Sequence, residues 1–491
     1  MRSIAIIGAG AAGCFCAAEL RRRIPDACIV VFEAGPKPLA KVAITGGGRC
    51  NLTNSFEGIN SLSEAYPRGE RLMKRLLHDF SHEDTWRWFE SAGVPLVLQD
   101  DHCVFPRSQD AMDIVRALLR RMDGVTLRLR TPVRSIALET PDQVGGDDKG
   151  KVDGDKRVMP GSIGHLRVDD NAVMPGSIGH LRVDDNAVMP GPDTANETPD
   201  QVGGDVQGTV GGDERVMPDL IGHLNVDDKT VMPDLIGHLN VDGERFDAVV
   251  VTTGGAPRGL PMLEGLGLEW VPTVPSLFTF TVKDASLRAL MGLVVNASLS
   301  IPGTSFKASG ALLITDWGLS GPATLKLSAY AARYLAEAGY KAPLSVNWLD
   351  ASESEAREIL QALAEGNARK QVTSTPPTGL QARLWNHLTQ RAGLRPDIRW
   401  AELGSKGFNK LVNVLTQDSY AIEGKTKFRE EFVTCGGVAL SNVNPATLES
   451  RRHPGLYFAG EVLDIDAITG GFNLQAAWTT GYTVARAIAS L

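Results

Sequence analysis

Cysteine is scarce in this chain, with six in 491 residues and no Cys-x-x-Cys pair. That excludes a disulfide framework, a redox dithiol and a zinc knuckle, and it points to a reducing cytoplasm. No apolar run approaches the ~20 residues needed to cross a bilayer, so no membrane partner is expected. The first apolar run is short and leads straight into a glycine turn, so it reads as a strand and not as a signal peptide. Aromatic residues are only 6% of the chain, and the composition is otherwise that of a globular protein long enough for two or three domains.

The overall charge of −8 is misleading. The middle of the chain is built of duplications. The segment Val158–Ala172 recurs as Val173–Ala187, a variant beginning at Val216 recurs from Val231, and Glu139–Asp147 returns as Glu197–Asp205. Tandems of about two copies, with Gly and Pro in each, are too few to bury a solenoid core. Residues 139–242 are therefore expected to be a flexible insert. His165, His180, His223 and His238 recur in it without companion ligands, which argues against a metal site. The insert holds 21 acidic and 8 basic residues, leaving the rest with 42 basic against 37 acidic. A mildly basic body permits an anionic partner such as nucleic acid.

What is present begins at Ile4-Ala-Ile-Ile-Gly8-Ala-Gly10-Ala11-Ala12-Gly13, followed by Val30-Val31-Phe32-Glu33. This is a strand, a Gly-x-Gly-x-x-Gly turn, a helix, a second strand and a terminal acid. Gly8 permits the tight turn, Gly10 lets backbone approach a pyrophosphate, and Gly13 lets the helix lie close to the strand. Glu33 stands where an acid accepts hydrogen bonds from an adenosine ribose.

Three more segments resemble parts of a flavin site. In Lys41-Val-Ala-Ile-Thr-Gly46-Gly47-Gly48-Arg49-Cys50-Asn51, consecutive glycines let the chain run against a flat ligand, with cations and amides alongside. Thr253-Gly254-Gly255 ends an apolar strand, in the segment Val249–Pro257. Near the C-terminus a strand runs into Gly460-Glu461, and Thr469-Gly470-Gly471-Phe-Asn473-Leu474 opens a helix. The N–H groups of that helix are expected at the flavin N1–C2=O edge, favouring negative charge on reduced flavin.

Together with Phe105-Pro-Arg-Ser108, Gly318-Leu-Ser-Gly-Pro-Ala323 and Val433-Thr-Cys-Gly-Gly-Val438, these motifs resemble the aminoacetone oxidase family of FAD-binding enzymes, the BaiN/RdsA-type NAD(P)/FAD-dependent oxidoreductases. The resemblance implies an α/β fold: a Rossmann-like (GR2-type) FAD domain carrying a small β domain and a small helical domain. The division expected is FAD domain 1–138, insert 139–242, FAD domain 243–272, β domain 273–349, helical domain 350–415, a return to the β domain over 416–432, and FAD domain 433–491. It also implies cofactor contacts at the turns above and at Val133. Family members commonly carry His where this chain has Asp316, which is either a carboxylate substitute or a plain turn residue.

Without a second dinucleotide fingerprint, NAD(P)H is expected to dock transiently as reductant. Cys50 and Cys435, in glycine-rich motifs expected near the flavin, are candidate proton donors or buried packing residues. His78 and His82, four residues apart beside Asp79 and Glu83, read as a solvated helix face. The resemblance implies reduction of an activated C=C bond, either in a small-molecule enone or in uridine of large-subunit ribosomal RNA. The basic stretches at Arg68–Arg75 and Arg116–Arg130 favour RNA. Alternatives are an amine oxidase that passes electrons to oxygen and a non-catalytic flavoprotein. Oligomeric state leaves no trace in the sequence.

Overall fold

A computed structural model describes residues 1–138, 238–255, 261–426 and 433–491. Residues 139–237, with His165, His180 and His223, and the turn residue Pro257 lie outside the described residues.

Five parallel strands form the central sheet, in the spatial order 456–458, 248–251, 3–7, 28–32 and 126–128. Ile4–Ile7, Ile29–Phe32 and Ala248–Val251 are buried along their length. Strands covered on both faces need continuous apolar runs, which is why they read as Ile/Val-rich rather than alternating. Strand 3–7 is the point where the chain reverses direction. Strands 28–32 and 126–128 are added on one side of it, and 248–251 and 456–458 on the other. In open α/β sheets the crevice at the carboxyl end of such a switch point binds ligands.

The first helix, Ala11–Arg23, lies against the last, Phe472–Ala489. Small residues allow the approach: a Cβ on Gly481 would sit 2.8 Å from the Ala12 carbonyl oxygen. Phe15 then packs into an aromatic cluster with Phe80, Trp88, Phe89 and Trp478 at centroid distances of 4.6–6.3 Å. Burial of such rings contributes about 1.5–3 kcal/mol each, so the two ends of the chain are fastened together beneath the crevice.

A seven-stranded antiparallel sheet, mostly from residues 280–347 and 418–425, forms a second layer around its own core. A helical group follows, with Glu353–Gly366 opened by a Ser352/Glu355 capping box, then Ala382–Arg391 and Gly404–Gln417. The strand pair 270–276 and 433–438 links these parts to the parallel sheet.

One boundary differs from expectation. Leu239–Val241 is a strand paired antiparallel with Ile136–Leu138, in the register Leu138 to Leu239. The chain therefore re-enters the fold at Leu239, inside the range assigned to the insert. Leu239 and Val241 are both fully buried, and because Leu239-Asn-Val-Asp242 repeats Leu224-Asn-Val-Asp227 letter for letter, only packing sets it apart. Residues Ala40–Gly48 start as a helix and break at Thr45, with Gly46, Gly47 and Gly48 at positive φ. The glycine run therefore turns the chain at the end of a helix.

Candidate active site

The switch-point crevice gathers most of the residues singled out from sequence. Gly8 has φ +109°, and a Cβ there would sit 2.6 Å from the Thr252 carbonyl oxygen. A Cβ on Gly13 would overlap the Gly8 carbonyl. Thr252 fastens the turn, donating from Oγ1 to the carbonyls of Ile7 at 3.0 Å and Gly8 at 2.8 Å. Thr252 is legible only once strands 3–7 and 248–251 are known to be neighbours. Gly10 is different, because a Cβ there would meet nothing within 4 Å. Its open side faces outward at the start of the first helix, which has no side-chain cap. The first-turn N–H groups, Ala11 to Gly13, remain for an anion.

Glu33 accepts hydrogen bonds from Ala9 N at 2.8 Å and Gly35 N at 2.7 Å, one at each carboxylate oxygen. Each oxygen keeps a further lone pair for a hydroxyl donor. Arg130 N and Thr131 N donate to the carbonyls of Gly35 and Glu33, which brings the segment leading to half-buried Val133 alongside.

Across the crevice, Gly460 abuts the first helix: a Cβ there would sit 2.8 Å from Ala12 Cβ. Glu461 Oε1 accepts from Thr434 N at 2.6 Å, and Oε2 lies 3.7 Å from Lys41 Nζ. A Cβ on Gly254 would sit 3.4 Å from Glu461 Oε2, and one on Gly255 would overlap the Thr434 side chain. Thr253 stands at the end of its strand beside them. Lys41, Glu461, Thr434 and the Gly254–Gly255 turn therefore meet at one place.

The third wall joins Asn51–Asn54 to Gly470–Gly471. Asn54 Nδ2 donates to the Gly470 carbonyl at 3.0 Å, and Thr53 Oγ1 donates to Gln475 Oε1 at 2.5 Å. Gly471 has φ +90°, and a Cβ there would overlap the Thr53 carbonyl and reach within 2.7 Å of Asn51 Oδ1. The C-terminal helix starts here without a side-chain cap. Asn51 Oδ1 is buried without a hydrogen-bond partner among the described residues. A buried acceptor without a partner is costly unless a bound group supplies the donor. Gly47 and Gly48 open onto free space, with nothing within 4 Å of a Cβ. The cradle fits FAD. In such a cradle the glycine fingerprint and Glu33 would hold the adenosine half, Glu461 with Lys41 the ribityl region, and the Asn51/Gly471 wall the ring.

Several candidates have other roles. Arg49 lies over Phe105, 4.5 Å from the ring centroid, and donates to the Gly46 carbonyl, so it braces the turn from outside. The Asn473 amide binds Ala467 N and the Ala467 and Ile468 carbonyls, fixing the turn before the last helix. Leu474 is half-buried in that helix. Cys50 is fully buried at φ +60°, and burial pushes its thiol up to about 12. Cys435 is also fully buried; burial raises its pKa, Asp466 adds to that, and Arg68 and Arg333 oppose it. Both thiols stay protonated at neutral pH. Asp316 lies in an exposed turn between strands 307–314 and 318–320, its carboxylate without a partner among the described residues.

Two readings need correction. Arg68 is not a phosphate-facing cation. It pairs through Nε and Nη2 with Asp466, whose carboxylate is completely buried, and donates from Nη1 to the Ala329 carbonyl. Ser276 Oγ completes the set at 2.9 Å from Asp466 Oδ2. No local signal marks this cluster, because its members are 398 and 190 residues apart in sequence. His82 is half-buried rather than solvated. It stacks on Phe56 at 5.1 Å, and burial lowers its pKa; only His78 is exposed.

Two models of a single family match the chain: an HI0933-like protein Rossmann domain over residues 2–165, and an HI0933-like protein barrel and H2TH domain over residues 274–433. The chain belongs to the HI0933-like family. It is 25% identical to a 3-dehydro-bile acid delta(4,6)-reductase of Clostridium scindens, over 100% of this chain and 99% of that one. It is 26% identical to a ribosomal RNA dihydrouridine synthase of Escherichia coli, over 98% and 96%. Among solved structures, a 3-ketosteroid delta1-dehydrogenase from Sterolibacterium denitrificans aligns over 100% of both chains, at 12% identity and a TM-score of 0.43. The HI0933-like Rossmann assignment coincides with the N-terminal glycine fingerprint, and no helix among the described residues is long and apolar enough to cross a membrane.

Proposed function

We propose that this chain is an FAD-dependent oxidoreductase that adds a hydride and a proton across an electron-poor C=C bond. The carrying observation is the wall where Gly471 leaves no room for a Cβ beside the orphaned, buried Asn51 Oδ1. The unpaired Asn51 acceptor in that wall suits the hydrogen-bonding edge of a ring. Bound FAD supplies hydride transfer at its N5. The chain's own residues orient and polarise. The N-terminus of the last helix places positive potential at the Gly470–Gly471 edge, Glu461 and Glu33 would hold hydroxyl groups of the bound cofactor, and the N-terminus of the first helix would hold its pyrophosphate.

The names of both full-length relatives describe saturation of a conjugated C=C bond, which supports the same reaction class here. Within that class, uridine in ribosomal RNA is the finer reading, supported by the excess of basic over acidic residues outside the repeats. NAD(P)H is the proposed electron source. Incubating the flavin-loaded protein anaerobically with NADPH or NADH, together with ribosomal RNA or a steroid enone, tests this. Dihydrouridine or the saturated ketone is the expected product. Reduction of neither acceptor, with peroxide formed from an amine once air is admitted, contradicts it.

A further inference from the structure

A second cavity, of about 610 Å³, opens between Ser63–Arg68 of the FAD domain, the hairpin tip at Ser305–Lys307 and the helical stretch at Tyr330–Tyr334. Its volume lies within the ~300–1,000 Å³ of small-molecule sites. At its inner wall stand Arg68 and Arg333, each neutralised from behind by Asp466 and Asp464. At the mouth, half-buried Phe306 and Tyr334 face each other with ring centroids 5.8 Å apart and planes inclined by 49°. Lys307 is exposed and makes no ion pair among the described residues. The tip is held in shape: Thr304 Oγ1 donates to the Ile301 carbonyl and accepts from Phe306 N, and Gly303 takes φ +82°.

We propose that this cavity binds a phosphorylated nucleotide, with the base against Phe306 and Tyr334 and a phosphate on Lys307. The proposal rests on the FAD-oxidoreductase reading, which requires a second ligand to reach the flavin crevice. Aromatic faces accept any base, and an uncompensated ammonium beside them selects for an anion attached to it. Two sources carry that chemistry, a nucleotide of an RNA substrate and the NAD(P)H reductant.

Equilibrium binding by the oxidised, flavin-loaded protein separates the sources without requiring turnover. The probes are NADPH, followed by its fluorescence, and a short uridine-containing RNA, followed by anisotropy. Phe306→Ala is expected to weaken one of them by about five-fold or more, as removal of a stacking partner does. Lys307→Ala is expected to weaken the same probe and to reduce its salt dependence by about one ion. Weakened NADPH alone identifies the reductant, and weakened RNA alone identifies the substrate. Unchanged binding of both probes overturns the proposal, as does loss of flavin from either variant. Lys307-dependent binding in a protein that reduces no C=C acceptor would leave the pocket standing and remove the proposed reaction.

Discussion

Glu33 divides its two carboxylate oxygens between Ala9 N and Gly35 N, so it braces the glycine turn at the proposed adenosine end of the cradle. Glu33→Ala removes charge-assisted bonds, and flavin affinity is expected to fall by roughly 1–3 kcal/mol. Titration of apoprotein with FAD measures it, and an unchanged dissociation constant would place the ribose elsewhere. Gly471 is the sharper probe of the ring wall. At φ +90°, with the Thr53 carbonyl in the path of a Cβ, Gly471→Ala is expected to displace the start of the last helix, weaken FAD binding and lower the flavin midpoint potential. Gly470 is also at positive φ, +124°, but the nearest atom to a Cβ there is a Phe472 ring carbon at 3.0 Å rather than backbone, so Gly470→Ala is expected to do less. Spectroelectrochemistry of both variants checks the order, and equal potentials would remove the helix N-terminus from the flavin edge.

At the scale of elements, the hairpin of Ile136–Leu138 with Leu239–Val241 gives a direct test of where the fold resumes. Leu138 and Leu239 are opposite one another, a spacing that a two-residue Asn-Gly turn closes. Replacing residues 139–238 by Asn-Gly is expected to preserve flavin content and a single cooperative melt. Excision through Asp242 takes away two buried side chains and the Asp242 bonds to Arg134 N and Ser135 N, and its melting temperature is expected to be lower. Equal melting temperatures would show that the strand contributes nothing.

The end of the first helix carries the second element-scale prediction. Glu19, 1% exposed, is fastened by Arg22, Arg23 and Trp88 Nε1. Burial raises its pKa, but the bonds from Arg22 and Trp88 outweigh that, and the net shift is below the ordinary 4.5. A depressed folded-state value means stabilisation that is present above pH ~4.5 and lost as pH falls through the lower folded value. Thermal melts of Glu19→Gln are expected to be less stable than the parent at pH 7 and to converge with it at acid pH. The difference should stay below the about 3–5 kcal/mol of a wholly buried broken pair, because Arg22 is 53% exposed. A constant difference across pH would contradict the linkage.

For the whole molecule, legibility followed sequence distance. The fingerprint Gly8–Gly13 and Glu33 could be read because turn, helix and strand lie within one short stretch, and Gly8 and Gly13 each meet a specific neighbour. The capping box at Ser352 and Glu355 was visible for the same reason. The bonds that assemble the ring wall span more than 400 residues, as in Thr53 to Gln475 and Asn54 to Gly470. Sequence marked both ends but not their union. Arg68 misled because a cation in a basic stretch looks solvated, and only the fold brings buried Asp466 to it.

The reaction itself is most directly tested by the fate of the reduced flavin. The bound FAD is photoreduced under anaerobic conditions, so that no particular electron donor is assumed. It is then mixed in a stopped-flow instrument with an electron-poor alkene, uridine-containing ribosomal RNA or a steroid enone, and in parallel with dissolved oxygen. Reoxidation by one of the alkenes faster than by oxygen, with one saturated product per flavin, is the result this account predicts. Rapid reoxidation by oxygen alone, with stoichiometric peroxide and no response to either alkene, would contradict it.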